Sequence, residues 1–181
     1  RVPLVQAGDA GARRAVSVVR RVLANGVALD GERVVEVRSP WSGAVVAQVH
    51  QASALQADLA LKAAVEARPR LAALSTGERR RVLQGLIEGL TVQRERFAQA
   101  ICDEAGKPIT LARTEVARAI ESFTIAAAEL TTFAQPPPVV DAMAGIRETE
   151  ALVHRVPAGV VVGIVPFNFP LNLGVHKVAP A

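Results

Sequence analysis

The stretch that most constrains this chain lies near its end: Gly159-Val-Val-Val-Gly-Ile-Val-Pro-Phe-Asn-Phe-Pro170, then Leu171-Asn-Leu-Gly-Val-His-Lys-Val-Ala-Pro-Ala181. The apolar run from Val160 to Val165 is far shorter than the roughly 18–20 residues of a membrane helix and suits a buried strand. Pro166 and Pro170 bracket Asn168 in a stiff turn. With a helix starting near Pro170, Leu171, Gly174, Val175 and Val178 share one apolar face. Strand, turn and helix in that order build an open α/β sheet, which places ligands at the carboxyl ends of its strands. Asn168 stands at such an end, and Lys177 flanks the apolar helix face beside Gly174.

Upstream, the pattern predicts short strands followed by helices. Val27-Ala-Leu, Asp30-Gly31 and Glu32 to Arg38 read as strand, tight turn and strand, because Asp-Gly is a strong hairpin signal. Ser39-Pro-Trp-Ser-Gly43 reads as a turn, and Val45 to Val49 as a third strand. Ser53 with Gln56 and Ser75 with Glu78 are capping-box pairs, opening helices at those points. The first is expected to run to about Arg68. Val82, Leu83, Leu86, Ile87 and Leu90 mark the core face of the second. Phe97, Ala98, Ile101, Cys102 and Ala105 mark a third helix, which Gly106 is placed to end. From Pro108, the residues Ile109, Ala112, Val116, Ala119, Ile120, Phe123, Ala127 and Leu130 define one long amphipathic helix, and Pro136-Pro-Pro138 stops it. The stretch from Ile146 to Val156 is strand-like.

Several of these segments resemble the aldehyde dehydrogenase superfamily. Val165-Pro-Phe-Asn-Phe-Pro170 with Lys177-Val-Ala-Pro-Ala181 is similar to its Pro-Trp/Phe-Asn-x-Pro turn and the following Lys-x-x-Pro-Ala helix. Glu104-Ala-Gly-Lys-Pro108, with Ala112-Arg113 and Glu115-Val116, resembles its Glu-x-Gly-Lys-Pro junction. Ser39-Pro-Trp-Ser-Gly43 resembles its Asn-Pro-x-x-Gly turn, with serine in place of asparagine. The resemblance covers about residues 26–181. It implies an α/β fold that is the N-terminal part of the family's: a β-hairpin, a helical layer, an oligomerisation ribbon, and the first strand and helix of a Rossmann-like cofactor domain. The implied division is residues 1–25 as a leader outside the resemblance, 26–138 as the N-terminal part of the cofactor-binding domain, 139–157 as the β-ribbon and 158–181 as the start of the Rossmann-like core.

The implied chemistry is oxidation of an aldehyde to a carboxylic acid with NAD or NADP. Negative charge then develops on the former carbonyl oxygen, and a fixed amide N–H stabilises it; losing one such donor costs about 2.7–4 kcal/mol. The family's oxyanion-hole asparagine falls on Asn168, which by its residue type alone is equally a turn or capping asparagine. Lys177 matches a lysine with a supporting or charge-relay role, and otherwise reads as a solvated lysine near a helix C-terminus. Val165, Pro166, Phe167 and Asn168 fall on positions lining the dinucleotide. Phe167 replaces the tryptophan of many members, removing an indole donor; its plain alternative is a core position. Cys102 is expected to be a small buried thiol on an apolar stripe rather than the nucleophile, which belongs downstream of Asn168, so residues 1–181 alone are expected to be inactive.

Charge and composition narrow the remaining classes. The net charge is +4, and all of it sits in residues 1–25, where five arginines face Asp9 alone. That segment reads as a targeting remnant, an N-terminal helix or an unstructured extension. The rest is balanced, with few aromatics, so no nucleic-acid surface is expected. A single cysteine rules out an internal disulfide and suits a reducing, cytoplasmic setting. His50, His154 and His176 lack metal-ligand spacing, so no metal is expected. Gly159 and Gly163 do not form G-x-G-x-x-G and are read as packing glycines. The expected partners are a small aldehyde and further copies of the chain, as a homodimer or homotetramer when intact, with no membrane. The Pro-Phe-Asn-Phe-Pro-Leu-Asn-Leu wording leans towards small polar aldehydes such as lactaldehyde or phosphonoacetaldehyde. A CoA-acylating semialdehyde dehydrogenase and a non-catalytic truncated homologue acting as an assembly module are the alternatives.

Overall fold

The computed structural model describes residues 18–132, 153–154 and 156–181. Five short strands precede four helices, and a fifth helix follows near the end: β1 Val18–Arg20, β2 Val22–Ala24, β3 Val27–Leu29, β4 Arg33–Arg38, β5 Val45–Gln51, α1 Ala54–Ala72, α2 Thr76–Val92, α3 Arg94–Ala105, α4 Ile109–Glu129 and α5 Asn172–Val178. One sheet has the order β1-β5-β4, with β1 parallel and β4 antiparallel to β5. A separate ribbon pairs β2 with β3.

The hairpin is not where Asp30-Gly31 suggests. It is closed by Asn25 and Gly26, both at positive φ (51° and 76°), the geometry that a tight two-residue turn requires. β4 instead pairs with β5. Gly31 serves a different need there: a Cβ would fall 2.3 Å from the carbonyl oxygen of Gln51, so only glycine lets the two backbones approach. The strands β1 and β2 also carry regular structure into the segment 18–24, in place of a helix.

The helical layer follows its local signals closely. Both capping boxes form: the Ser53 hydroxyl accepts from the Gln56 N–H, and Ser75 does the same for Glu78, with each N3 side chain returning a bond to the cap backbone. α1 continues past Arg68 through Pro69 to Ala72, because the proline falls in its last turn, where little helix remains to be disrupted. Gly106 ends α3 in the left-handed conformation, and Pro108 precedes the first residue of α4.

α4 is the axis of the core. Ala112, Val116, Ala119 and Phe123 are buried on its inner face. Ala112 and Val116 meet Ala98 and Ile101 of α3, while Ala119 and Phe123 meet Leu90 of α2 and Val175 of α5. The small alanines let the helix backbones come close. α5 docks on α4 through Val175, with Leu171 and Ala179 packed around it.

Two expectations need correction or lie outside view. Residues 160–165 are in no strand ladder among the described residues, and their side chains are largely exposed: Val162 is 71 % and Ile164 83 % accessible. A buried parallel strand requires neighbours along its edges, and no described strand lies beside this segment. Pro136-Pro-Pro138 and nearly all of the ribbon proposed at 139–157 lie outside the described residues.

Candidate active site

The proline-bracketed turn is anchored from below by α4 and the α3–α4 junction. Glu115 occupies the apolar face of α4, three residues after Ala112 and four before Ala119, and is only 1 % exposed. Its carboxylate forms an ion pair with Lys107, just beyond the end of α3. The other carboxylate oxygen accepts the backbone N–H groups of Leu171 (3.0 Å) and Asn172 (3.2 Å). These are free donors at the start of α5, which has no capping side chain of its own. A negative group there also complements the positive end of the helix dipole.

Lys107 completes the support. Its ammonium donates to the backbone carbonyl of Asn168 at 2.8 Å and lies 4.0 Å from the centre of the Phe169 ring. The turn's backbone is thus held by a carboxylate and an ammonium from another part of the chain. Asn168 itself is exposed.

The junction carrying Lys107 is itself fixed. Gly106 sits at φ 66°, and a Cβ there would lie 2.5 Å from Pro40 Cγ. Its carbonyl accepts from the Trp41 indole N–H at 3.1 Å. The Ser39–Gly43 turn of the sheet and the Asn168 turn therefore meet at adjacent residues.

Val165, Pro166 and Phe167 lead into Asn168, and all four are exposed. Lys177 lies in the last turn of α5; its ammonium donates back to the carbonyl of Leu173 at 3.2 Å and does not bond Asn168. Gly163 packs on its stem, where a Cβ would stand 3.3 Å from Lys177 Cδ. Gly159, read as a packing glycine, has open space around it and a φ of 96°, so its role is conformational. A groove of about 540 Å³ runs between α1 and this segment, lined by Gly159, Val160, Gly163, Val165, Gly174 and Lys177 among others.

Cys102 lies on α3 beside the Ala98–Ile101 cluster, where burial pushes its thiol above the ordinary value and disfavours a thiolate. His50 accepts the Gly31 N–H through Nδ1 at 3.0 Å, and His176 Nε2 lies 3.2 Å from Ser122 Oγ, tying α5 to α4. Among the described residues no cluster of His, Cys, Asp and Glu could hold a metal, and no helix is long and apolar enough to cross a membrane. Lys107 and Glu115 are the site residues missed as such by sequence reasoning. The available signal was a carboxylate on a stripe of otherwise apolar positions, eight residues after a lysine.

Comparison with known proteins leads to the family that the sequence resembles. A model of the aldehyde dehydrogenase family matches residues 27–181. The lactaldehyde dehydrogenase of Methanocaldococcus jannaschii is 31 % identical over 157 residues, covering 84 % of this chain and 33 % of that protein. Aldehyde dehydrogenase 21 from Physcomitrella patens, solved with its reaction product succinate, superposes with a TM-score of 0.79 at 35 % identity, over 91 % of this chain and 34 % of that one. The NADP-dependent glyceraldehyde-3-phosphate dehydrogenase of Bacillus halodurans C-125, complexed with NADP, also has a TM-score of 0.79, at 27 % identity over 91 % of this chain and 35 % of that one. The chain spans about a third of the length of these relatives. By sequence and by fold, the chain belongs to the aldehyde dehydrogenase family.

Proposed function

We propose that this chain forms the N-terminal portion of an NAD(P)-dependent aldehyde dehydrogenase that oxidises an aldehyde to a carboxylic acid. The observation that carries this reading is the exposed Asn168 carboxamide, presented by a turn whose backbone is braced by Lys107. Asn168 N–H groups stabilise the oxygen as it gains charge during attack on the aldehyde carbon; a donor fixed in advance needs no reorganisation at that moment. Lys177 serves as a supporting cation beside the cofactor. Because Cys102 is packed in the helical layer, the attacking thiol comes from outside these 181 residues, and the chain alone is inactive.

The surroundings fit a dinucleotide. The groove offers mainly apolar walls, glycines that expose backbone, and the ammonium of Lys177 at one side, within the volume range of small-molecule sites. Val165, Pro166, Phe167 and Asn168 would line the dinucleotide, and Lys177 would hydrogen-bond its ribose. When bound, NAD or NADP supplies the acceptor for the hydride released by the substrate carbon. Phe167 offers a ring face without an indole donor. A small polar aldehyde is supported by the likeness to lactaldehyde dehydrogenase and to the succinate-forming enzyme. Assembly as a homodimer or homotetramer and a cytoplasmic location complete the proposal.

The test is Asn168→Ala in the intact protein that contains this segment. Turnover is expected to fall by about 10²–10³-fold, with NAD(P) affinity little changed. A variant that oxidises aldehydes at the wild-type rate would overturn the reading.

A further inference from the structure

We infer that Lys107 and Glu115 are positioning residues for Asn168, forming a buried ionic brace that sets where its carboxamide points. This rests on Asn168 being the oxyanion donor. The connections are specific: Lys107 Nζ holds the Asn168 carbonyl at 2.8 Å and faces the Phe169 ring at 4.0 Å. Glu115, ion-paired with the same lysine, holds the N–H groups of Leu171 and Asn172 at 3.0 and 3.2 Å. Contacts therefore fall on both sides of Pro170, fixing the backbone from residue 168 into the first turn of α5. A donor mounted on that backbone moves with it.

Stability accounts for only part of this arrangement, through the two α5 donors that Glu115 satisfies. Glu115 is surrounded by buried Ala112, Val116 and Ala119, where an apolar residue would pack without the cost of desolvating a charge. Replacing a buried ion pair by apolar groups is often neutral or stabilising. The brace instead supplies direction. It ties the Asn168 carbonyl, at the end of a segment whose side chains Val162, Ile164 and Phe167 are largely exposed and hold it little, to two backbone N–H groups at the start of the packed helix α5.

The experiment uses the intact protein and a neutral double variant, Lys107→Met with Glu115→Gln, so that neither charge is left buried alone. Folding is checked by circular dichroism. For this variant, kcat is expected to fall about a hundredfold, the scale of a misplaced catalytic group, with KM for the aldehyde and affinity for NAD(P) within about threefold of wild type. Adding Asn168→Ala should then cost far less than it does in the wild-type background, because the donor is already misdirected. Lys107→Arg, which keeps a cation, should recover most of the loss.

An unchanged kcat in the folded double variant would overturn the proposal. So would an Asn168→Ala penalty of full size in that background. If wild-type protein itself oxidises no aldehyde, the dehydrogenase reading fails, and the brace is judged by amide hydrogen exchange. Leu171 and Asn172 must then lose protection in Glu115→Ala while Val116 and Phe123 keep theirs; equal loss at all four would refute a local brace.

Discussion

The helical layer and the segment 159–169 are both rich in apolar residues, yet they are held by different forces. In the layer, α4 buries Ala112, Val116, Ala119 and Phe123 against three other helices. In the segment, Val162, Ile164 and Phe167 are 71 %, 83 % and 77 % exposed, and no described strand pairs with them. The layer is fixed by packing, which is non-directional and spread over many atoms. The turn at the end of the segment is fixed by a few charged and polar contacts, which are directional. Shape is thus secured where no chemistry is proposed, and orientation is secured where it is.

Matched truncations in the two regions would break or sharpen this contrast. Phe123→Ala removes a ring shared by α2, α4 and α5 and should cost about 3–5 kcal/mol in urea unfolding. A cost below 1 kcal/mol would show that the layer is not the source of stability. Gly106→Ala forces a side chain into the left-handed region and against Pro40, and should cost about 1–3 kcal/mol. Ser75→Ala should cost about 1 kcal/mol by removing the cap of α2.

The same cap predicts an acid response. Hydrogen bonds from the Ser75 backbone and hydroxyl hold the Glu78 carboxyl below its ordinary value. A depressed folded pKa means a contribution present above the unfolded pKa, about 4.3, and lost as pH falls through the lower folded value. Wild type should therefore lose its advantage over Glu78→Gln as the pH falls through that value; a difference that stays constant down to full protonation would disprove the linkage. At the small end, Ile164→Ser should change the stability of this chain by no more than about 0.5 kcal/mol, since the side chain is already in water. A larger loss would mean that the segment is packed after all.

What could be read directly was local. The two capping boxes, the Gly106 stop and the stripe of α4 depend on residues three to eight apart, and each formed as expected. What escaped was decided between distant parts. Asn25-Gly26 and Asp30-Gly31 carry equal hairpin signals, and only the pairing of β4 with β5 chooses between them. The strand expected at 160–165 pairs with nothing among the described residues for the same reason, since apolar content cannot supply a neighbour. Asn168 stood out as a candidate from its turn and its family likeness, but its support did not. Lys107 is 61 residues away along the chain, and Glu115 reads as an ordinary helix carboxylate until α5 is laid against it.

The Gly106 carbonyl accepts the Trp41 indole, while the next residue holds Asn168. A surface turn and the turn of the candidate site, 127 positions apart, thus share a hinge pin one residue wide. On the role proposed for Asn168, sequence grafted into the 39–43 turn reaches that chemistry from a distance, through the contacts of Gly106 and Lys107.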